Sequence, residues 1–258
     1  HVTRTDRLGD DLATEPAWRS TLEALGVTDV LTTVHRDEHG CWAFLDLWRC
    51  GGAFDADDVA LVDGARTGVT TRLRQLTGSA LRATPDTRDG GGSGVILVDD
   101  DLRVVGDTAR AGTWLARLLP PGAGHDPVPA VVLNAAAQLL AVEAGVDAHE
   151  PMTRVHVGRG AWLTAQAERL SGANEPRIAV ALTPTTPTER LDVHSRAFAL
   201  SRREHEVLHL LAEGRSTHEV AAALHLSDYT VQDHLKSVFR KTGTRSRAAL
   251  VAQACGSA

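Results

Sequence analysis

The fold is decided by residues 200–251, LSRREHEVLHLLAEGRSTHEVAAALHLSDYTVQDHLKSVFRKTGTRSRAALV. In this stretch Ser201 and Ser216 each precede an apolar-periodic run and are followed three residues later by a glutamate. That spacing is typical of the capping box, in which the two side chains bond to free backbone donors at a helix start. Ser227 and Ser246 are further N-cap candidates, and Gly214 and Gly243 are candidate C-terminal ends of helices. The stretch therefore predicts four short helices.

Each predicted helix carries apolar residues on one face, at helical spacing. In chain order these are Val207, Leu208 and Leu211; Val220, Ala221 and Leu224; Val231, Leu235 and Val238; and Leu250, Val251 and Ala254. The connection between the second and third helices is only about three residues long, at Leu226–Asp228. So short a connection favours two helices that cross steeply, which is the geometry of a helix-turn-helix.

The third helix, residues 227–242, has a strongly polar outer side. With its three apolar residues turned inward, Tyr229, Asp233, Lys236, Ser237 and Arg240 point outward, and Thr230, Gln232 and His234 lie on the flanks. Hydrogen-bonding groups and positive charge in such a stripe suit base edges and phosphates in a major groove. The solvated face of a small helical bundle would give the same pattern, so that alternative stays open.

Charge is distributed unevenly along the 258 residues, whose net charge is −6. Residues 196–258 carry nine Arg or Lys against six Asp or Glu, whereas the rest carries 18 basic and 27 acidic residues. An acidic body joined to a basic C-terminal part is typical of a regulated nucleic-acid binder, because phosphates attract one part and are repelled by the other.

Residues 200–251 resemble the LuxR-type (GerE-like) DNA-binding domain, a tetrahelical helix-turn-helix. The resemblance is carried by Leu200-Ser-Arg-Arg-Glu204, Leu211-Ala-Glu-Gly214, Thr230-Val-Gln-Asp-His234-Leu-Lys236 and Phe239-Arg-Lys241-Thr-Gly243. It implies a transcriptional regulator that binds double-stranded DNA with two-fold-related half-sites, as a homodimer. Together with the GAF-like and PAS-like sensory modules described below, it implies a one-component regulator with sensing and output on one chain. It implies neither an enzyme nor a cofactor.

The resemblance also implies roles for individual residues. Thr230 would hold a phosphate, His234 would anchor the recognition helix near the backbone, and Gln232, Asp233 and Lys236 would face the groove. The whole implied DNA-binding set is Thr217, Ser227, Tyr229, Thr230, Gln232, Asp233, His234, Lys236 and Arg240; the implied dimer contact is Ala249, Leu250 and Gln253. Gln232 stands where many members carry Lys or Arg, and Asp228 and Asp233 add negative charge. These departures indicate more reliance on polar readout.

Two breaks divide the remainder of the chain, a glycine-rich connection at Arg88–Gly94 and a proline-bearing stretch at Thr183–Pro187. We expect a multidomain protein, α+β followed by all-α: a partial GAF-like domain in residues 1–87, a PAS-like sensory domain in 94–185, a linker helix in 186–199 and the helix-turn-helix domain in 200–258. The missing half of the GAF pattern and the start at His1 lead us to expect a longer natural N-terminus.

The first segment is predicted to contain helix Trp18–Leu25, strands Val30–Arg36 and Cys41–Arg49 joined at Asp37–Gly40, and helix Asp57–Leu76. The last helix places Val59, Val62, Val69, Leu73 and Leu76 on one face. The residues that resemble a GAF domain are Trp42–Arg49, Phe54 and Asp58.

The second segment is predicted to begin with two strands and two helices, Val95–Val98, Leu102–Val105, Thr108–Leu119 and Ala130–Ala144. Three further strands follow at Arg154–Val157, Trp162–Arg169 and Arg177–Thr183. This order predicts a sheet with its helices on one face and is similar to that of a PAS domain.

Several other kinds of site are disfavoured. Val95–Asp101 looks like the acid cluster of a receiver domain, but a receiver needs a nearby lysine, and Lys236 and Lys241 are the only lysines; a hairpin turn is favoured. His35, His39, Cys41 and Cys50 do not have a usual zinc spacing, so we expect no metal. A haem-ligand role for His149 or His156 is equally disfavoured.

The cellular setting and the competing function are also expectations. Three cysteines and the lack of any apolar run of about 18 residues favour a reducing cytoplasm and no membrane span. A small-molecule ligand of the sensory modules is left open. The alternative function is a small-molecule- or partner-binding signalling protein whose helical tail is a protein interaction module.

Overall fold

The computed structural model describes residues 2–4, 26–83, 92–118, 130–158, 160–172 and 177–256. Within these ranges the strands are β1 Val2–Arg4, β2 Asp29–Asp37, β3 Gly40–Arg49, β4 Gly94–Val98, β5 Val104–Asp107, β6 Met152–His156, β7 Trp162–Arg169 and β8 Ile178–Pro184. The helices are α1 Ala56–Leu81, α2 Ala109–Ala116, α3 Ala130–Glu143, α4 Pro187–Ala197, α5 Arg202–Ala212, α6 Thr217–Leu224, α7 Asp228–Thr242 and α8 Arg247–Cys255. The predicted helix Trp18–Leu25 lies outside the described residues.

The first sheet has the strand order β1-β2-β3, and the predicted β2–β3 hairpin is confirmed. Helix α1 covers one face, where Thr70 lies 3.2 Å from the Nδ1 atom of buried His35. Its fully buried residues are Thr70, Gly78 and Leu81. The apolar stripe expected from the sequence is covered only in part: Val59, Val62 and Leu73 are half-buried, whereas Val69 and Leu76 are 39% and 49% exposed. The helix was therefore predicted correctly and its buried face only in part, because β2 meets α1 along the Thr70 side.

The second sheet has the order β5-β4-β8-β7-β6, with all neighbouring strands antiparallel. Helices α2 and α3 pack on one face, over a core that includes Ile96, Leu163 and Val180. Strand β4 approaches α2 so closely that a Cβ at Gly94 would lie 2.7 Å from the Ala111 backbone. The predicted order of strands and helices is confirmed, as is the turn after β4, where the Asp99 carboxylate accepts from the Arg103 N–H.

Helices α5 to α8 are the four predicted from capping residues, and each predicted N-cap is present: Ser201, Ser216, Ser227 and Ser246. Helix α6 ends at His225, which adopts the left-handed conformation at φ +55°. The four helices share an apolar core in which Val207, Leu208, Val220, Val231, Val238 and Leu250 are completely buried. The connection from α6 to α7 is as short as the sequence indicated.

Helix α4, the predicted linker helix, is packed inside the molecule. It begins with a capping box formed by Thr186 and Glu189, with Pro187 as its first residue. Leu191, on this helix, belongs to the same apolar cluster as the core of α5–α8, and Leu81 at the end of α1 joins that cluster. Helix α4 thus lies where the first sheet module meets the four C-terminal helices.

No helix within the described ranges has both the length and the apolar character required to cross a bilayer.

Candidate nucleic-acid interface

Helix α7 presents an open polar surface. Its inner side is fixed by Val231 and Val238, both completely buried. On the opposite side Tyr229 is 69% exposed, and Gln232, Asp233, Lys236 and Arg240 are also exposed. We call this the reading face of α7. The structure therefore leaves open to solvent the surface that the sequence singled out.

The N-terminus of α7 is closed by local hydrogen bonds. The Ser227 Oγ accepts from the Thr230 N–H at 3.1 Å and lies 2.9 Å from the Thr230 hydroxyl. His218, near the start of α6, lies 3.4 Å from the Asp228 carboxylate in the first turn of α7. A helix N-terminus attracts anions through its dipole and free N–H groups, and here the Ser227 side chain already accepts from the Thr230 N–H while Asp228 adds a negative charge.

Lys236 is already paired on the reading face. Its Nζ donates to Asp233 Oδ1 at 2.9 Å and lies 5.7 Å from the centre of the Tyr229 ring. The hydrogen bond to Asp233 raises the pKa of Lys236. Because both side chains are well exposed, this ion pair adds little stability. Breaking this exposed ion pair therefore costs little free energy.

The C-terminal end of α7 is held by Lys241, whose Nζ donates to Glu204 Oε2 at 2.6 Å and to the Ala199 carbonyl at 2.8 Å. Burial alone would raise the pKa of Glu204, but hydrogen bonds from Lys241, Ser237 and the Ser201 N–H lower it to about 2. Ser237 was expected to point outward; it is half-buried, because its hydroxyl faces this carboxylate. No pattern in the sequence indicates that Lys241 turns inward.

The other predicted DNA-binding residues lie at the rims of the reading face. Thr217 is the first residue of α6, and Thr217, Thr230 and His234 are half-buried. Arg240 is exposed near the end of α7, and its Nη2 donates to Ser237 at 3.4 Å. All of the predicted set except Thr217 thus lies on α7 or its N-cap.

The predicted dimer residues on α8 have unequal surroundings. Ala249 is exposed, whereas Leu250 is completely buried in the core of the four helices. Gln253 is half-buried, and its side chain faces the buried ring of His194 on α4. In this arrangement the three residues do not form one open surface.

The disfavoured metal and haem residues are dispersed or otherwise engaged. His35 is buried against Thr70, whereas Cys41 and Cys50 are exposed. His156 packs on Trp162, and burial followed by the charge of Arg190 lowers the pKa of His156. Across the described part of the chain, no three His, Cys, Asp or Glu side chains are grouped so that they could hold a metal ion.

The C-terminal helices match a known family. The family model described as bacterial regulatory proteins, luxR family (GerE), matches residues 198–254. The spore germination protein GerE of Bacillus subtilis is 35% identical over 54 residues, which are 21% of this chain and 73% of that protein.

Two longer relatives are similar to this chain over stretches of comparable length. The nitrate/nitrite response regulator protein NarP of Escherichia coli is 44% identical over 50 residues, covering 19% of this chain and 23% of NarP. The probable transcriptional regulatory protein NarL of Mycobacterium tuberculosis is 44% identical over 55 residues, covering 21% of this chain and 26% of NarL. The chain thus spans about a quarter of the length of these two regulators.

Proposed function

Because this chain belongs to the LuxR family of bacterial regulatory proteins, we propose that it regulates transcription by binding double-stranded DNA through α7. The observation that carries the proposal is the reading face, whose polar side chains are exposed while its apolar side is fixed in the core. At 15 residues, α7 is about 22 Å long, which suits an α-helix lying in a major groove.

The roles of the site residues follow from their places on α7. Ser227 and Thr230 lie at the helix N-terminus and would contact a phosphate. Gln232 and Asp233 would approach base edges, and Lys236 would exchange its contact with Asp233 for one with DNA. Arg240, one helical turn further on, would contact the backbone beyond. Recognition of this kind depends on hydrogen bonding more than on net positive charge.

We further propose that the chain acts in the cytoplasm as a dimer on two-fold-related half-sites, under the control of the sheet modules. The five-stranded order β5-β4-β8-β7-β6 with both helices on one face supports a PAS-like second module. The β2–β3 hairpin followed by α1 supports a GAF-like first module. An unidentified small molecule would be the signal.

A test of DNA binding begins with selection of preferred sites from a random duplex pool by the full chain, followed by titration of variants. Thr230→Ala should weaken binding to all sequences alike, whereas Gln232→Ala should change the preferred base, at a cost of about 1–3 kcal/mol at the selected site. Lys236→Ala should lower the slope of log affinity against log salt by about 1.

Gln166→Ala, at an exposed position of β7, is the matched control for Gln232→Ala and should change nothing. Failure to enrich any sequence, or three unchanged variants, would overturn the proposal. Absent or salt-insensitive DNA binding together with a stable protein complex would favour the interaction-module alternative instead.

A further inference from the structure

Helix α4 carries two arginines that bond to main-chain carbonyls, and they differ in how completely their donors are used. The Arg196 Nε donates to the His39 carbonyl at 2.8 Å, and its Nη2 donates to the Cys41 carbonyl at 2.9 Å. The same guanidinium lies 5.2 Å from the centre of the Trp42 ring. Arg190 is only 4% exposed, yet its Nε is buried without a hydrogen-bond partner among the described residues. Arg190 is therefore a buried cation with an unused donor.

Arg190 lies where α4 meets both sheet modules, and no acidic side chain balances its charge there. Its Nη1 donates at 2.9 Å to the Gly160 carbonyl, in the turn between β6 and β7, and its Nη2 donates at 3.0 Å to the Leu81 carbonyl at the end of α1. The neighbouring carboxylate, Glu189, is engaged in the capping box of α4 and lies 3.5 Å from Arg154. Among the described residues, Arg190 thus has neutral carbonyl partners and no ion pair. A buried charge without a counter-charge is costly, and burial lowers the pKa of Arg190.

The second sheet brings two further buried nitrogen atoms to this arginine. Leu163 and Ala165 belong to the core under α2 and α3, so Trp162 stands on the opposite face of β7, beside its cross-strand partner His156. The two ring centroids are 5.4 Å apart. Trp162 Nε1 and His156 Nε2 are both buried without a hydrogen-bond partner in the described part of the chain. Burial and then the charge of Arg190 lower the pKa of His156, so the imidazole lies near the guanidinium.

We propose that Arg190, Trp162 and His156, which we call the junction site, bind a small oxyanion, a carboxylate or a phosphate. An oxyanion supplies what these three side chains lack, because its charge offsets that of the guanidinium and its oxygens accept from several N–H donors. Both Nη atoms of Arg190 are engaged by carbonyls, so its Nε–H is offered to one oxygen and the indole N–H of Trp162 to another. Neutral His156 donates from Nε2 in one of its tautomers. Trp162 and His156 are half-buried, which gives the site an edge towards solvent.

An anion at the junction site would contact the second sheet and α4 together, beside the end of α1. Because it binds this arrangement of the modules and not the unfolded chain, it stabilises the arrangement by mass action. An oxyanion is then the chemical class of the signal that the sheet modules sense. As a statement about the signal, the inference rests on the proposed function; binding of the anion does not, and it is tested without DNA.

The indole N–H groups of the five tryptophans give a direct readout in proton–nitrogen correlation spectra of the full chain. The chain is titrated with sodium phosphate and, separately, with sodium acetate, at constant ionic strength. One of the two anions should move a single indole resonance to a saturating limit, and that resonance should be the one missing from the spectrum of Trp162→Phe. The anion that binds identifies the group, phosphate or carboxylate. Isothermal titration calorimetry with the same anion should show affinity about 10- to 100-fold weaker in Arg190→Gln and in Trp162→Phe, since each removes one hydrogen bond to a charged group.

Trp48→Phe, at an exposed tryptophan of β3 in the first sheet, is the matched control and should keep the wild-type affinity. Arg190→Gln also gives up two hydrogen bonds to carbonyls, so Trp162→Phe decides the question if that variant does not fold. No saturable shift with either anion, a shift confined to another indole, or equal affinity in Trp162→Phe and the wild type would overturn the junction site. Anion binding by a chain that binds no DNA would retain the site and overturn the proposed function.

Discussion

Acidification should destabilise the protein through His194. Burial, followed by the positive charges of Arg190 and Arg82, lowers the pKa of this histidine to about 3 in the folded chain. In the unfolded chain it returns to an ordinary value of about 6.5. The unfolded state therefore binds a proton that the folded state excludes, and the free energy of unfolding falls as the pH drops from about 6.5 towards 3.

The loss of stability is set by how far the pH lies between the folded and unfolded pKa values of His194. A pH of 5 is about 1.5 units below the pKa of the unfolded histidine, whereas the folded histidine is still neutral at that pH. The free energy of unfolding is therefore about 2 kcal/mol lower. That is a substantial part of the 5–15 kcal/mol by which domains are typically stable. Glu204 has no share in it, since a carboxyl group with its pKa lowered to about 2 contributes only below about pH 4.5.

Urea unfolding at pH 7, 6 and 5 measures this effect against His194→Leu, which keeps an apolar side chain and cannot bind a proton. The variant should lose about 2 kcal/mol less than the wild type between pH 7 and pH 5. His218→Gln, at a side chain 86% exposed, is the control and should follow the wild type. Equal losses for wild type and His194→Leu would refute the reasoning.

Three further outcomes are expected. Glu204→Gln should lower the free energy of unfolding at pH 7 by about 2–3 kcal/mol, because Lys241 loses its buried charged partner. Urea unfolding at lower pH should show that this difference from the wild type shrinks below about pH 4.5. A difference that stays constant with pH would contradict the role of the Glu204 charge. Gly94→Ala should cost about 1–3 kcal/mol through overlap with Ala111, seen as a lower Tm, and an unchanged Tm would contradict the close approach. Asp233→Asn should tighten binding to unrelated duplex DNA several-fold at low salt, since it removes a negative charge and frees Lys236; anisotropy showing no gain would argue against that pairing.

Local chemistry is what made the four C-terminal helices predictable. Each begins at a serine that accepts a backbone N–H, and two of those serines belong to capping boxes, so the helix limits follow from residues only three positions apart. The outward direction of Tyr229, Gln232 and Lys236 follows from the apolar positions of the same helix. The candidate site could therefore be placed without any knowledge of tertiary contacts.

The features that could not be predicted depend on which surfaces of the helices and sheets pack together. Periodicity shows that α1 is a helix, but which side β2 covers is decided by the sheet, so Val69 and Leu76 remain exposed. Ser237 and Lys241 are polar residues near the end of α7 that only the position of Glu204 turns inward. The central place of α4 likewise arises from packing between elements distant in sequence, whereas the burial of Leu250 agrees with its place on the apolar face of α8.

Arg190 and Arg196 of α4 donate their hydrogen bonds to main-chain carbonyls, and this affects how the contacts respond to mutation. Carbonyl oxygens at positions 39, 41, 81 and 160 remain whatever side chains those residues carry. Alanine substitutions at His39 and Cys41 would therefore leave these hydrogen bonds in place, whereas Trp42→Ala would remove the ring that lies 5.2 Å from the Arg196 guanidinium. At Gly40 the obstacle to substitution is the addition of a side chain, because a Cβ would overlap the Arg196 guanidinium and φ +131° is a conformation that residues with side chains rarely adopt.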